Sequence, residues 1–339
     1  GRNPDKPLPM ASVTKVMTLL LTFEALYAGK FGLEDGHTIS KNAAGMGGSQ
    51  AFLGEGLQYT VADLLRTVII ASANDSAVAL SELVSGSEEA FVARMNERAT
   101  ELNCTNTKFQ NPHGLPVADH YSTARDIAVM SRELLKHEEF FKWSRVWLDE
   151  LVHPDGRTTS LTNTNRLIRF YDGADGVKTG FTGDAMYCLS ASAVRNGQRY
   201  IAVVLGAPNS NVRFAEIQKL LDYGFAQYAS LTLAEKGQEA GTVKIRGGRK
   251  PEVKAVAADD LFALLARGSE DEVKAELTLP EEIRAPITEN QVLGQWRFKL
   301  GEETIGEIDL IASEPVLKQS LWYVITRIFG EMVAVVGKE

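Results

Sequence analysis

Between Val13 and Tyr27 almost every helical face is apolar: Val16, Met17, Leu19, Leu20, Leu21, Phe23 and Leu26 leave no stripe for solvent. Such a helix must be buried all round, so the rest of the chain has to wrap it. It begins just after Pro9-Met10-Ala11 and ends near Gly29. Lys15 lies in its first turn, where a cation is costly unless it is used.

Further helices are expected over Val61–Ile70, with Thr60 as N-cap, over Ser76–Val84, and over Ser87–Leu102, where Ser87, Glu88 and Glu89 open the first turn. From Tyr187 to Ala193 and from Gln198 to Leu205 the pattern changes to strand-like runs, joined by the hairpin signal Arg195-Asn196-Gly197. A helix over Val212–Tyr228 closes this region, which gives an α+β layout. After Ala229 short alternating segments (Gly241–Ile245, Val273–Leu277, Gln295–Lys299, Glu307–Leu310) predict a small β-rich domain. The expected division is 1–228, 229–312 and a C-terminal helix in 313–339. In that last segment, Val316 to Val336, apolar residues are interrupted by Lys318, Gln319, Thr326, Arg327 and Glu331, too polar for a spanning helix. It reads either as an amphipathic helix for a membrane interface or as a helix docked on the protein itself.

A chain of 339 residues with 44% apolar and 24% charged residues is an ordinary globular one. Its formal charge of -8 repels phosphate backbones and argues against nucleic acid as a partner. Cys104 and Cys188, far apart and without a Cys/His cluster, signal neither a disulfide framework nor a zinc site. Gly1 to Pro9 lacks signal-peptide character, so an export signal is expected to be removed or to lie outside these residues.

Three short patterns carry chemistry. Ser12-Val13-Thr14-Lys15 sets a hydroxyl and an amine one turn apart at the start of the buried helix. Burial favours the neutral amine, which is a competent base for a neighbouring serine, and a helix N-terminus offers N–H groups to an oxyanion. Ser72-Ala73-Asn74 follows the helix ending at Ile70, and alone reads equally as a helix cap and turn. Lys178-Thr179-Gly180 follows the turn-rich 172–176 and alone reads as a strand start. An SxN also occurs at Ser40-Lys41-Asn42, after a turn instead of a buried helix, so Ser72 is preferred.

In this order, SxxK, SxN and KTG resemble the set that lines one cleft in serine β-lactamases and penicillin-binding proteins. The chain is most similar to low-molecular-mass D-alanyl-D-alanine carboxypeptidases of the penicillin-binding protein 5 type. Gly47-Gly48-Ser49, Asn111-Pro112-His113-Gly114-Leu115, Tyr121 to Asp126 and Asp175-Gly176-Val177 before the KTG support this. The resemblance implies a β-lactamase/transpeptidase-like domain with an antiparallel sheet flanked by helices, then a β-rich domain and a C-terminal amphipathic helix. It implies attack by Ser12 on the D-Ala-D-Ala bond, with Lys15 taking its proton. Ser72 passes a proton to the departing D-alanine, and Asn74 holds Lys15 and the substrate backbone. Lys178 and Thr179 meet the terminal carboxylate, and an oxyanion hole forms from the N–H groups of Ser12 and of Phe181, which follows Gly180. The expected partners are peptidoglycan stem peptides, β-lactams and a membrane surface, with no cofactor and no metal, at the outer face of the cytoplasmic membrane. Only eleven residues precede Ser12, where the family has a signal peptide and strands, so the N-terminus is expected to be incomplete.

Two rivals use the same nucleophile. A β-lactamase needs a carboxylate-activated water, for which Glu101-Leu102-Asn103 is a superficial candidate, better read as a helix-to-strand turn. A non-catalytic peptidoglycan-binding or β-lactam-sensing module would have no need of intact Ser12, Lys15 and Lys178. His113, beside Gly114 in a turn, reads as structural.

Overall fold

A computed structural model describes residues 1–326 of the chain. They form two compact units, Gly1–Phe225 and a second unit starting at Ala226.

In the first unit the apolar helix is α1 (Lys15–Tyr27), preceded by a 3-10 turn over Ala11–Thr14. Its residues from Lys15 to Phe23 are all buried. Around it pack α2 (Val61–Ala71), α3 (Asn74–Ser85), α4 (Glu88–Glu101) and α5 (Ala124–Leu134), in one core with Phe91, Phe109 and Phe140. Thr60 and Asp63 form a reciprocal capping box at the start of α2, and Ser87 caps α4 by accepting from Ala90 N–H. Helix α5 lies outside the expected set; its N-cap Thr123 accepts from Asp126 N–H within the quoted motif Tyr121–Asp126.

An antiparallel sheet of three strands in the order β1 (Ala174–Thr182), β2 (Met186–Arg195), β3 (Gln198–Ala207) lies in the same unit. Asn196 and Gly197, with φ of 50° and 75°, make the tight β2–β3 turn. Helix α6 (Ser210–Gln227) packs Phe214, Ile217 and Leu221 on Leu189, Ala191 and Ala202. Strand β1 begins four residues before Lys178, inside the stretch that reads as a turn. Polar Asp175 disguises it: its carboxylate is buried and accepts from Arg199 Nη1 at 2.8 Å. KTG is therefore the middle of a strand, not its start.

The second unit contains β4 (Tyr228–Ala234), β5 (Glu239–Arg246), β6 (Glu252–Ala257), β7 (Leu261–Ala266), β8 (Val273–Thr278), β9 (Glu282–Arg284), β10 (Val292–Leu300) and β11 (Glu303–Ala312). Six of these form a sheet in the order β8-β10-β11-β6-β5-β9, in which β9 is parallel to β5, and β4 pairs with β7. The core is Val243, Ile245, Val253, Leu293, Phe298 and Leu310, the inward set of a period-two pattern.

The expected helix over Val316–Val336 needs correction at its start. Val316 is buried and exchanges backbone hydrogen bonds with Ile287, while Gln319 N–H donates to Gly247 O. That extended stretch belongs to the second unit, because a β-branched residue with a vacant ladder partner does better as a strand than as a first helical turn. Helix appears only from Leu321 to Thr326, and the remainder of the expected helix lies outside the described residues.

Candidate active site

Ser12 sits on the 3-10 turn and Lys15 follows that turn directly. At three residues per turn, side chains i and i+3 eclipse, so the turn aligns these two more closely than an α-helix would. Lys15 Nζ is 3.0 Å from Ser12 Oγ, 2.6 Å from Asn74 Oδ1 and 2.6 Å from His113 O. The turn is pinned from outside. Gly114, at φ 89°, passes so near that a Cβ there would lie 2.0 Å from Ala11 O and 2.9 Å from Ser12 N. Only glycine fits such an approach at such a φ.

Helix α2 ends at Ser72, which adopts the left-handed conformation at φ 65°, and α3 starts two residues later at Asn74. The SxN triplet is thus the joint between two buried helices. Asn74 Nδ2 donates to Gly47 O at 2.7 Å and its backbone N–H to Ser49 O at 2.7 Å, so its Oδ1 is left facing Lys15. Ser72 Oγ is buried and has no hydrogen-bond partner among the described residues. A left-handed non-glycine residue and an orphaned buried hydroxyl are each costly. Next in sequence, the buried carboxylate of Asp75 accepts from the N–H groups of Ala51, Leu53 and Ser76, tying the 47–53 loop to α3.

Lys178, Thr179 and Gly180 lie in β1, whose edge away from β2 carries no strand among the described residues. A Cβ on Gly180 would meet Met10 O at 2.7 Å and Ser12 N at 3.0 Å, so the strand runs directly against the nucleophile's turn. Phe181 exposes its ring, which lies tilted by 37° against Tyr187 at 4.4 Å between centroids. Lys178 is buried; Thr179 Oγ1 donates to Thr164 Oγ1 at 2.6 Å. The three motifs thus meet in space: side-chain hydrogen bonds join Ser12, Lys15 and Asn74, and Gly180 brings the third motif against the nucleophile's turn.

Two residues beside β1 escape a sequence reading. Thr164, whose N–H donates to Ile70 O, holds the Thr179 hydroxyl. Arg213 of α6 is buried, with Nη1 directed at Gly180 O and Cys188 O at 3.4 and 3.3 Å and its Nε without a partner among the described residues.

Burial, first of all, pushes the Lys15 amine well below its ordinary range; the charge of Lys178 adds to this and Asp75 opposes it. Burial, followed by the charge of Arg213, brings Lys178 down to about 7. The site therefore holds one amine inclined to be neutral beside the serine, and a second whose charge is easily set by what it binds.

Glu101 ends α4 in ion pairs with Arg94 and Arg98 on an exposed face. His113 contributes its carbonyl to Lys15, while its ring accepts from Leu115 N–H and faces Glu88 at 3.6 Å. Cys104 and Cys188 are buried free thiols. Among the described residues no group of His, Cys, Asp and Glu is arranged to hold a metal ion.

Residues 1–209 match the family model of D-alanyl-D-alanine carboxypeptidases, and residues 228–318 that of the penicillin-binding protein 5 C-terminal domain. The chain is 41% identical over 332 residues to D-alanyl-D-alanine carboxypeptidase DacF of Bacillus subtilis, covering 98% of this chain and 85% of the relative. It is 37% identical to DacC of Escherichia coli, covering 93% and 80% respectively. The crystal structure of penicillin-binding protein 5 from Haemophilus influenzae superposes with a TM-score of 0.76 at 34% identity, over 93% of this chain and 92% of that one.

Proposed function

This chain belongs to the D-alanyl-D-alanine carboxypeptidase family, and we propose that Ser12 is the nucleophile with which it removes the terminal D-alanine of peptidoglycan stem pentapeptides. It is a serine hydrolase of the low-molecular-mass penicillin-binding type, and it works on the cell wall in the envelope. β-Lactam inhibition through an acyl-enzyme is typical of that family.

The observation that carries the assignment is the three-way setting of Lys15 Nζ. Asn74 Oδ1 and His113 O can only accept, so they fix two N–H bonds of a neutral amine and leave its lone pair directed at Ser12 Oγ. Ser12 Oγ attacks the penultimate D-alanine carbonyl as its proton passes to Lys15. The oxyanion is met by the N–H groups of Ser12 and Phe181. Collapse breaks the C–N bond, and the leaving amine takes the proton from Lys15 relayed through Ser72 Oγ, whose lack of a partner among the described residues suits a transient role. Water then cleaves the ester. Lys178 and Thr179 hold the terminal carboxylate, whose charge keeps Lys178 protonated while bound.

Intact-mass measurement after exposure to a penicillin, with digestion of the adduct, tests the assignment. A penicilloyl group on the peptide containing Ser12 is expected, and one on any other peptide overturns it.

The C-terminal segment is proposed as a monotopic membrane anchor of an exported enzyme. Leu317, Leu321 and Trp322 expose 58%, 80% and 74% of their surface beside Lys318. No helix among the described residues is long and apolar enough to cross a membrane, so the contact would be interfacial.

A further inference from the structure

Thr164 is an exposed residue held by a buried asparagine on either side. Asn163 Nδ2 donates to Ser144 O and Val146 O at 3.1 and 2.8 Å, and its Oδ1 accepts from Asn165 N–H. Asn165 Nδ2 donates to Gly176 O of β1 at 2.8 Å. The N–H of Thr164 itself donates at 3.2 Å to the carbonyl of Ile70, in the last turn of α2 before Ser72. An exposed side chain is thus fixed at its root to α2 and β1, the elements that lead into the second motif and carry the third.

Its hydroxyl accepts the proton of Thr179 Oγ1 at 2.6 Å. That direction is at odds with the part Thr179 has in the proposed site. A hydroxyl owns one proton, and a carboxylate can only accept. While Thr179 donates to Thr164, it has lone pairs alone to offer the substrate's terminal carboxylate. Thr179 is buried, whereas Thr164 is exposed and no group among the described residues accepts its proton.

We propose that Thr164 is a positioning residue for the terminal carboxylate: on binding, the bond between the two threonines reverses, so that Thr164 Oγ1 donates to Thr179 Oγ1 and Thr179 donates to the carboxylate. This rests on the proposed placing of the carboxylate at Lys178 and Thr179, and adds the group that keeps the Thr179 hydroxyl aimed there. The pair is hydrogen-bonded before and after, so the reversal costs little. The resulting chain of two hydroxyls ends on a charge, where such chains are strongest. The same bond fixes which branch of Thr179 meets the cleft. In a strand, more than one χ1 well is accessible, and a turn about χ1 exchanges Oγ1 for the methyl group. Thr164 holds the hydroxyl in place in both states.

Benzylpenicillin carries a carboxylate near its reactive carbonyl, as the D-Ala-D-Ala terminus does, and its methyl ester lacks that charge. Acylation of Ser12 by the two, followed by intact mass, therefore reads the contact with and without the charge. Thr164→Val keeps the branched shape and removes the hydroxyl. It should acylate about ten-fold more slowly with the free acid, the scale of one hydrogen bond to a charged group, and within about two-fold of the wild type with the ester. Thr164→Ser should restore the free-acid rate. In a Thr179→Val background, Thr164→Val should cost nothing further, because the one threonine acts only through the other. An unchanged free-acid rate in Thr164→Val overturns the proposal, and so does equal slowing of acid and ester, the mark of a merely structural residue. Failure of Thr164→Ser to restore the rate does the same. A further loss in the double variant would put Thr164 against the carboxylate itself and overturn the relay. The wild type reports separately on the parent reading. A Ser12 adduct formed equally fast from acid and ester rejects carboxylate recognition at Lys178 and Thr179, whereas a preference for the acid that Thr164→Val leaves untouched rejects only the role of Thr164.

Discussion

Lys15 Nζ stands 3.0 Å from Ser12 Oγ, while its other two hydrogen-bonding directions are occupied by Asn74 Oδ1 and His113 O. The two acceptors come from segments far from Lys15 in sequence, so tertiary structure aims the amine at the serine that its own turn sets beside it. Each contact point is itself held: Asn74 by Gly47 and Ser49, and the His113 turn by Asn111 Oδ1, which accepts from Gly114 N–H at 2.6 Å. A base positioned this way can be removed without disturbing the serine's backbone. Lys15→Ala should therefore still fold, yet acylation by a penicillin should slow by about 10²- to 10⁴-fold in stopped-flow or mass-based kinetics.

The two buried lysines predict a bell-shaped pH profile. Lys15 must be neutral to accept a proton, so kcat/KM rises with pH as it deprotonates, at a pH well below that of an ordinary lysine. Lys178 must be charged to attract a carboxylate, and in the free enzyme it loses its proton near pH 7. The falling limb of kcat/KM for a D-Ala-D-Ala peptide should therefore lie close to neutrality. Lys178→Arg keeps its charge throughout that range, so whatever activity it retains should lack that limb.

Gly114→Ala should be far more damaging than its chemistry suggests. The added Cβ would sit 2.0 Å from a backbone oxygen of Ala11, and the residue's φ of 89° disfavours any side chain. The two backbones must separate, which moves Ser12 relative to both Lys15 and β1. A loss of penicillin acylation exceeding about 10²-fold is expected, larger than any accompanying fall in thermal midpoint would explain.

The sequence was most legible where chemistry and local geometry coincide. Ser12 and Lys15 are three apart on one turn, and the all-apolar helix behind them makes the lysine conspicuous. The Asn196-Gly197 hairpin and the alternating strands of the second unit are local signals too. Thr164 and Arg213 carry none: each reaches the strand holding Lys178 from a distant segment. A lone arginine in Ser210–Gln227 reads as solvated until the fold shows its guanidinium buried beneath Gly180 and Cys188. The strand start at Ala174 was hidden for a similar reason, since Asp175 and Gly176 argue locally for a turn. Only the pairing of Asp175 with Arg199 and Arg145 makes a buried carboxylate tolerable there.

Asp75 offers a test of the loop that supports Asn74. Its carboxylate accepts N–H groups of Ala51, Leu53 and Ser76 at 2.8 to 3.1 Å. Asp75→Asn turns an acceptor into a donor that faces other donors, in a buried place. Urea unfolding should show a loss of about 1–3 kcal/mol. Unchanged stability would mean that the loop finds other partners.

Where the enzyme is held is tested by cutting the chain, and the fold dictates the place of the cut. Ending it at Ser313 would remove Val316, whose backbone pairs with Ile287 and whose side chain is buried in the second unit. Such a truncation confounds anchoring with unfolding. Ending at Ser320 keeps that pairing and the Gln319–Gly247 bond, and removes the segment that begins with exposed Leu321 and Trp322. Liposome co-sedimentation should then show binding by the full chain, weakened at high salt in anionic vesicles where Lys318 and Arg327 contribute about 1 kcal/mol each near the surface. The chain ending at Ser320 should stay in the supernatant with its peptidase activity intact. Equal sedimentation of the two forms would place membrane attachment elsewhere or nowhere, because the apolar side chains removed by the cut are the ones an interfacial anchor has to bury.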